Sequence, residues 1–218
     1  MPDDARRALL TRFFDHAPTF PPASLPPAEA LAEDRRARQS EHAWLLGRLV
    51  WPAAQLLELP QDEGRALAVV DSGGERQDDA VYLEGVSLDE VAARGLRAKI
   101  RCGGQRVPPA DELAEFIRGC RSRGLVFKAT AGLHHAYPTA PGEHGFLNVL
   151  AAAVFGDEEE ALREQPPAFA LDATSFRWRD QEAQPTRLSD VRASLFHSVG
   201  TCSFFEPVEE LEQLGILA

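Results

Sequence analysis

Two lysines stand out among the residues of this sequence that could do chemistry. Of its 23 basic residues, 21 are arginines, and the two lysines are Lys99, in the run AKIRCGG, and Lys128, in the run FKATAG. A site that needs a compact amine, or an amine that can lose its proton, cannot use arginine. Each lysine lies near the end of a strand-like apolar run that leads into a glycine. We therefore predict that the two lysines mark a functional site; the alternative is that both are solvated or salt-bridged.

Charged residues end three successive predicted strands: VYLEG ends in Glu84, AKIRCGG in Lys99 and Arg101, and FKATAG in Lys128. Side chains alternate along a strand, so Lys99 and Arg101 share one face. For the same reason, Lys128 and Thr130 share a face of their own strand. Since neighbouring strands lie about 5 Å apart, we predict an open pocket in which the two amines lie within about 8 Å of each other. In this pocket Arg101 and Thr130 would hold an anion, and Glu84 would transfer protons.

Two ammonium groups that lie close together disfavour each other's charge. At about 5 Å and an effective dielectric constant of about 20, their repulsion is on the order of 3 kcal/mol, or up to roughly two pKa units. Such a shift would leave one amine partly neutral at about pH 8 and nucleophilic towards a carbonyl group. The pair therefore favours chemistry through an imine. If the lysines stay charged, they could instead stabilise an enolate or phosphate oxygen.

The two lysine strands resemble a known family. FKATAG resembles the Schiff-base strand of class I aldolases of the deoxyribose-phosphate type, which reads Lys-Thr-Ser-Thr-Gly, and AKIRCGG is similar to that family's second-lysine strand, Lys-x-x-Gly-Gly. The two strands occur here in the reverse order. The resemblance implies that Lys128 forms the imine and that Lys99 is the neighbour that lowers the pKa of Lys128.

The segment after the Lys128 strand, LHHAYPTAPGEHGFLN, contains His134, His135, Glu143, His144 and Asn148. Imidazole and carboxylate groups can bind zinc or a similar metal, but this spacing matches no established motif. A histidine beside a bound substrate can instead transfer protons, because its pKa lies in the right range. We predict that role for His134 or His135, and substrate contacts for His144 and Asn148. Binding of a metal ion by these residues is one alternative, and no other cofactor is expected. The second alternative is a loop held by hydrogen bonds, in which His144 caps the next helix.

Glycines near the predicted site could offer backbone N–H groups to an anion. Gly103 and Gly104 follow Arg101, whose guanidinium could clamp the same anion. Neither a P-loop nor a GxGxxG pattern is present, so the sequence gives little support to nucleotide binding. Cys202, in GTCSFFEP, is predicted to be a small buried residue rather than a nucleophile.

The elements that must position these residues follow a βα rhythm. From residue 66, short apolar runs alternate with helical patterns, which is typical of parallel βα units. About six candidate strands are fewer than the eight of a full TIM barrel. We therefore predict an α/β fold that is barrel-like, either a complete or an incomplete TIM-type barrel, in preference to an open doubly wound sheet. Residues 1–60, including SEHAWLLGRLVWPAAQLLEL, are predicted to be a helical segment packed on an α/β domain of residues 61–218, the whole forming one unit.

Composition limits the partners of the chain. A formal net charge of −11 argues against a nucleic-acid or anionic-membrane surface, and no apolar run approaches the roughly 18 residues of a membrane span. Three cysteines without a CxxC motif, together with an N-terminus that lacks a signal peptide, predict a cytoplasmic protein. We expect a small anionic metabolite as its partner. The sequence leaves open whether the chain forms a homo-oligomer.

A second resemblance covers the C-terminal half. The runs FKATAGLHH, HGFLNVL and CSFFEPVEELEQLG resemble a set of uncharacterised bacterial proteins, which brings no activity with it. Together these observations predict a cytoplasmic enzyme that acts on a small anionic metabolite, which could carry a phosphate, by aldolase-like lyase chemistry. The alternatives are metal-assisted or electrostatically assisted chemistry at the same site and a non-catalytic ligand-binding module.

Overall fold

A closed barrel of eight strands forms the centre of the protein. The structure is a computed structural model and describes residues 3–61, 64–104 and 106–217. The strands are β1 Phe14–His16, β2 Leu46–Pro52, β3 Leu67–Asp71, β4 Gly74–Gln77, β5 Ala80–Leu83, β6 Arg97–Arg101, β7 Phe127–Thr130, β8 Phe169–Leu171, β9 Phe176–Trp178, β10 Gln181–Ala183 and β11 Phe196–Thr201. The α-helices are α1 Ala5–Leu10, α2 Pro27–Gln39, α3 Leu88–Ala93, α4 Ala110–Arg123, α5 Phe146–Phe155, α6 Glu158–Arg163, α7 Pro185–Ser194 and α8 Phe205–Gln213.

The strand order around the barrel is β1-β11-β7-β6-β5-β4-β3-β2. Neighbouring strands are parallel except that β4 pairs antiparallel with both β3 and β5. The α/β, barrel-like prediction is therefore confirmed. The barrel is closed rather than incomplete, and one of its strands runs against the other seven.

The first 60 residues are not the helical segment that the sequence analysis predicts. They contain β1, which pairs with β11 and β2, and β2, which also pairs with β3. Helix α1 ends at Leu10 because Thr11 adopts a non-helical ψ of 124°, and Arg12 follows in a left-handed conformation with a φ of +52°. In β2 the chain is apolar on both faces, and a short run of this kind does not distinguish a buried strand from a helix. The segment thus supplies two barrel strands.

Most of the aromatic core lies between the barrel and its surrounding helices. Phe13 packs edge to face against Phe14 and Phe196, with ring centroids 5.1 and 5.5 Å apart. Phe146, on helix α5, packs against Phe14 in the same geometry at 5.2 Å, and all ten residues of α5 are buried. Because this layer holds the large apolar side chains, the barrel interior is free to contain polar ones.

A separate antiparallel sheet is formed by β8, β9 and β10. A turn divides the run AFALDATSFRWRD into β8 and β9. The Asp172 carboxylate accepts hydrogen bonds from the backbone N–H groups of Thr174, at 2.7 Å, and Ser175, at 3.0 Å, and so stabilises this turn. Within the described ranges, no helix combines the length and apolar character needed to cross a membrane.

Candidate functional site

The two lysines are directly paired in neighbouring strands. Lys99 on β6 lies opposite Lys128 on β7 in the strand register. Both amines approach the same carboxylate, that of Glu75 on β4: Oε1 accepts a hydrogen bond from Lys128, and Oε2 lies 3.9 Å from Lys99 Nζ. The strand alternation therefore brings the lysines together as predicted, with a carboxylate between them that the sequence analysis did not identify.

Lys128 is closed off from solvent by two carboxylates. Its side chain is fully buried, and its Nζ lies 2.6 Å from Oδ2 of Asp15 and also contacts Glu75. Burial alone would lower the pKa of Lys128, but the charges and hydrogen bonds of the two carboxylates outweigh burial and raise the pKa above its ordinary value. The expectation that Lys99 lowers the pKa of Lys128 is therefore wrong. So is the expectation that Lys128 faces an open pocket.

Asp15 is held by a set of buried donors. Burial would raise the pKa of its carboxyl group, but Lys128 and the hydrogen bonds lower it overall. Besides the lysine, the carboxylate accepts hydrogen bonds from Ser198 Oγ (2.7 Å), Gln77 Nε2 (3.1 Å) and the backbone N–H of Arg48 (2.8 Å). Gln77 Nε2 also donates to Glu75 Oε1 at 2.7 Å. These bonds fix both carboxylates around Lys128.

Lys99 connects the buried carboxylate of Glu75 to charged residues near the open end of the barrel. Its Nζ lies 3.2 Å from Oε2 of Glu84, and Oε1 of Glu84 accepts a hydrogen bond of 3.0 Å from Arg101 Nε. Burial would raise the pKa of Glu84, but the two cations lower it overall. The charges therefore alternate along one continuous chain: Asp15, Lys128, Glu75, Lys99, Glu84 and Arg101.

A cavity of about 910 Å³ opens at the end of this chain of charges. Its lining includes Val50, Arg101, Thr130 and Gly200, which all lie at or near the carboxyl ends of parallel strands. The cavity is therefore the C-terminal mouth of the barrel, where parallel α/β barrels bind their ligands. Two lining residues, Glu75 and Lys99, also belong to the chain of charges, whereas Lys128 is not among the described residues that line the mouth.

The histidine pair lies beside the mouth. His134 lines the cavity, and its Nδ1 lies 3.7 Å from Cys202 Sγ and 3.7 Å from a carboxylate oxygen of Glu206. Burial lowers the pKa of His134, and Glu206 offsets this effect only in part. His135 Nδ1 lies 3.5 Å from Oε2 of Glu210 on helix α8, and His135 is not among the described residues that line the cavity. Of the pair, His134 is thus the one placed to meet a ligand.

The structure does not bring His144 and Asn148 to the mouth cavity. His144 Nε2 is hydrogen-bonded to the carbonyl oxygen of Pro108 at 2.7 Å. Asn148 Nδ2 donates to the carbonyl oxygens of Ala161 and Glu164 at 2.9 and 3.0 Å. Their predicted substrate contacts are therefore wrong, because His144 is bonded to a backbone carbonyl just before helix α4 and Asn148 to backbone carbonyls at the end of helix α6.

The two predicted glycines differ in position. Gly104 lines the mouth, whereas Gly103 packs against Gly132 so closely that a Cβ at Gly103 would lie 2.6 Å from the Gly132 Cα. Gly103 therefore permits the loops after β6 and β7 to touch.

The loop histidines do not form a metal-type cluster. In the described part of the chain, the three-ligand group with donor atoms within 4.8 Å of one another is Glu41, His42 and Glu212.

The sequence analysis missed four buried polar residues around Lys128, which are Asp15, Glu75, Gln77 and Ser198. Asp15 is an acidic residue that follows two buried phenylalanines, and Glu75 and Gln77 alternate within a Gly-rich hairpin. Those two sequence patterns are the signals that could have identified Asp15, Glu75 and Gln77.

No family model, curated protein or solved structure matches this chain. The resemblance to class I aldolases thus stays a prediction that rests on two short strands.

Proposed function

We propose that this chain is a cytoplasmic enzyme that binds a small organic anion at the barrel mouth and catalyses chemistry at a carbonyl group of that anion. The observation that carries the proposal is the position of Lys99. This amine lines a large open cavity, is held between Glu75 and Glu84, and connects to a buried network that fixes its surroundings. Three buried cysteines without a disulfide among them agree with a reducing compartment.

In the proposed reaction Lys99 acts as an electrostatic catalyst. When a C–H bond next to the carbonyl breaks, its proton passes to Glu75, and the electron pair moves onto the carbonyl oxygen as an enolate. The Lys99 ammonium stabilises that oxygen, as preorganised charges do in active sites. Return of the proton to carbon completes the cycle. Glu75 is suited to the role of base because its Oε1 is bound by Lys128 and Gln77, whereas its Oε2 has Lys99 at 3.9 Å.

Lys128 is then a positioning residue. Its charge holds Glu75 and Asp15 in place, and its raised pKa disfavours the neutral amine that imine formation requires. If the aldolase-like route through an imine operates, Lys99 is the better placed nucleophile because it reaches the cavity. Arg101, whose side chain is half exposed and bonded to Glu84 through Nε, is the proposed anchor for a carboxylate or phosphate group.

One observation favours a second candidate, a non-catalytic ligand-binding module. Lys128 is fully buried and paired with two carboxylates, which is the arrangement of a structural ion network. In that case the mouth would bind the same kind of anion without turning it over.

Hydrogen–deuterium exchange separates these possibilities. The protein is incubated in D2O with a panel of small aldehydes, ketones and keto acids, and exchange next to the carbonyl is followed by proton NMR. We expect exchange by the unaltered protein, a loss of about 100-fold or more in Lys99→Met, and no loss in Arg106→Gln, which removes an exposed cation paired with Glu112. Under the electrostatic mechanism, Lys99→Arg keeps part of the activity.

Borohydride trapping on the same panel tests the imine route. Lys99, Lys128 and the N-terminal amine are the amines of this sequence that can be trapped, so intact mass and peptide mapping identify the site directly. Trapping at Lys99 would establish the imine mechanism, and trapping at Lys128 would overturn the positioning role. If the folded protein binds members of the panel but neither exchanges nor traps them, the enzyme proposal fails and the binding module replaces it.

A further inference from the structure

The lining of the mouth cavity changes character from one side of the barrel to the other. Strands β2 and β3 and the loop after β1 contribute an apolar arc: Phe20, Pro21, Pro22, Val50 and Val70. The next arc of the wall, which begins at β4 beside β3 and continues to β6 and β7, carries polar side chains: Glu75, Lys99, Arg101 and Thr130. The two arcs occupy separate, continuous parts of the wall, so a bound ligand meets an apolar surface on one side and charges on the other.

The apolar arc is held in place before any ligand binds. Ala17 N donates to the carbonyl oxygen of Thr201 at 2.7 Å, which ties the loop after β1 to the end of β11. Within the loop, Ser24 N donates to the Phe20 carbonyl oxygen at 3.0 Å and Leu25 N donates to the Pro18 carbonyl oxygen at 2.8 Å. A wall that is ordered in advance spends little binding free energy on ordering itself. This loop is therefore a preformed contact surface.

The size of the cavity agrees with a ligand that spans both arcs. Its volume of about 910 Å³ lies near the upper end of the range of about 300–1,000 Å³ that is usual for small-molecule sites. A compact, fully polar anion would occupy only the charged side and would leave the apolar arc in contact with water. Covering that arc with apolar ligand surface stabilises the complex in proportion to the area removed from water.

We infer that the ligand is an amphiphilic organic anion, with an oxyanion group at Arg101 and Lys99 and an apolar ring or chain against Phe20, Val50 and Val70. This inference deepens the proposed function and rests on it for the identity of the site. It narrows the substrate class from any small anionic metabolite to carboxylates or phosphates that carry an apolar body. The loop after β1 becomes the element that selects for that body.

Isothermal titration calorimetry with three matched probes tests the inference. The probes are 3-phenylpropionate, which has both parts, propionate, which lacks the ring, and 3-phenylpropionamide, which lacks the charge. We expect propionate and 3-phenylpropionamide each to bind at least about tenfold more weakly than 3-phenylpropionate. Equal affinities for 3-phenylpropionate and propionate, or for 3-phenylpropionate and its amide, would overturn the inference, as would the absence of binding by all three.

Two variants and their matched controls locate the two arcs. Phe20→Ala should weaken 3-phenylpropionate about tenfold and leave propionate unchanged, whereas Leu57→Ala, at a fully exposed leucine, should change neither. Arg101→Gln should weaken both acids and leave the amide unchanged, whereas Arg106→Gln should have no effect. Equal effects of Phe20→Ala on 3-phenylpropionate and propionate would argue against the apolar arc as a ligand wall.

The outcomes for ligand class and for catalysis are independent. Calorimetry follows binding and requires no turnover. The predicted order of affinities without any hydrogen exchange would therefore support the inferred ligand class and refute the proposal that the protein is an enzyme. Conversely, Lys99-dependent exchange of compact keto acids that bind as tightly as their aryl analogues would preserve the enzyme and refute the ligand class.

Discussion

Replacing Lys128 by methionine should destabilise the protein strongly, because it removes the cation that two buried carboxylates share. Asp15 and Glu75 each have about 1% of their side-chain surface exposed, and both contact the Lys128 amine. Breaking a buried ion pair by removing one partner costs about 3–5 kcal/mol. Against a total stability of about 5–15 kcal/mol for a typical domain, this is a large fraction. We expect a loss of that size in urea-induced unfolding at pH 7, followed by circular dichroism.

A triple variant separates the lost charge from the lost packing. Lys128→Met combined with Asp15→Asn and Glu75→Gln keeps the volume of the buried part of the network and removes its three charges. Since neutral buried groups of similar shape can replace an ion network at little cost, the triple variant should recover most of the lost stability. A triple variant no more stable than Lys128→Met would show that packing, and not unpaired charge, dominates.

The pH dependence of the same variant has a definite sign. The pKa of Asp15 is lowered in the folded protein, so its stabilising contribution is present above its unfolded pKa of about 3.9 and is lost as pH falls through the folded value. The pKa of Lys128 is raised, so its contribution is complete below about pH 10 and is lost only at higher pH. Without the cation, burial favours protonated carboxyl groups. The stability gap between Lys128→Met and the unaltered protein should therefore narrow from pH 7 to pH 5. A gap below about 1 kcal/mol at pH 7, or one that stays constant with pH, would refute the reasoning.

Two further predictions concern the backbone and a buried histidine. Gly132→Ala should cost several kcal/mol of unfolding free energy, since its Cβ would lie 2.3 Å from a backbone oxygen at a φ of +68°. Gly142→Ala, at a φ of +86° with open space around its Cβ, should cost only about 1–2 kcal/mol. Equal losses of stability for the two variants in thermal unfolding would contradict the clash. Burial disfavours the charged form of His16, but Asp34 and Glu33 outweigh burial and raise the pKa of His16. The stability that His16 contributes is therefore present below its unfolded pKa of about 6.5 and is lost as pH rises through the folded value. His16→Gln should therefore cost about 2 kcal/mol at about pH 6 and less at higher pH, and urea midpoints that fall equally at both pH values would contradict this assignment.

The extent to which sequence predicts this fold depends on the length of each strand. The four- and five-residue strands β5, β6 and β7 carry apolar runs bounded by turn residues, and the sequence predicts them. Strand β1 has only three residues and directly follows a helix, so its pattern merges with the helical one. The longer β2 was missed for a different reason. Its apolar residues face both the barrel interior and the helices, and this removes the alternation that identifies a strand.

The candidate site was predictable only where it depends on local alternation. Lys99 and Arg101 lie two residues apart on one strand, so their shared face follows from the sequence alone. The partners of Lys128 cannot be read from the sequence alone, because Asp15 is 113 residues away along the chain and Glu75 is 53 residues away. Such contacts depend on how the barrel closes. The sequence therefore predicted a site that contains both lysines, but it could not tell which of them lines the cavity.

The hairpins around β4 explain both the number of strands and the different roles of the lysines. A parallel crossover needs a dozen or more residues, whereas two residues separate β3 from β4 and two separate β4 from β5. The barrel thus gains a strand without a helix, which is how eight strands fit in a chain of 218 residues. This antiparallel strand carries Glu75 into the interior, between the paired lysines. There it shares Lys128 with Asp15 and leaves Lys99 at the mouth cavity. In the proposed function this hairpin decides which lysine is catalytic, because the two lysines lie opposite each other in the strand register and Glu75, together with Asp15, holds Lys128 in the buried interior.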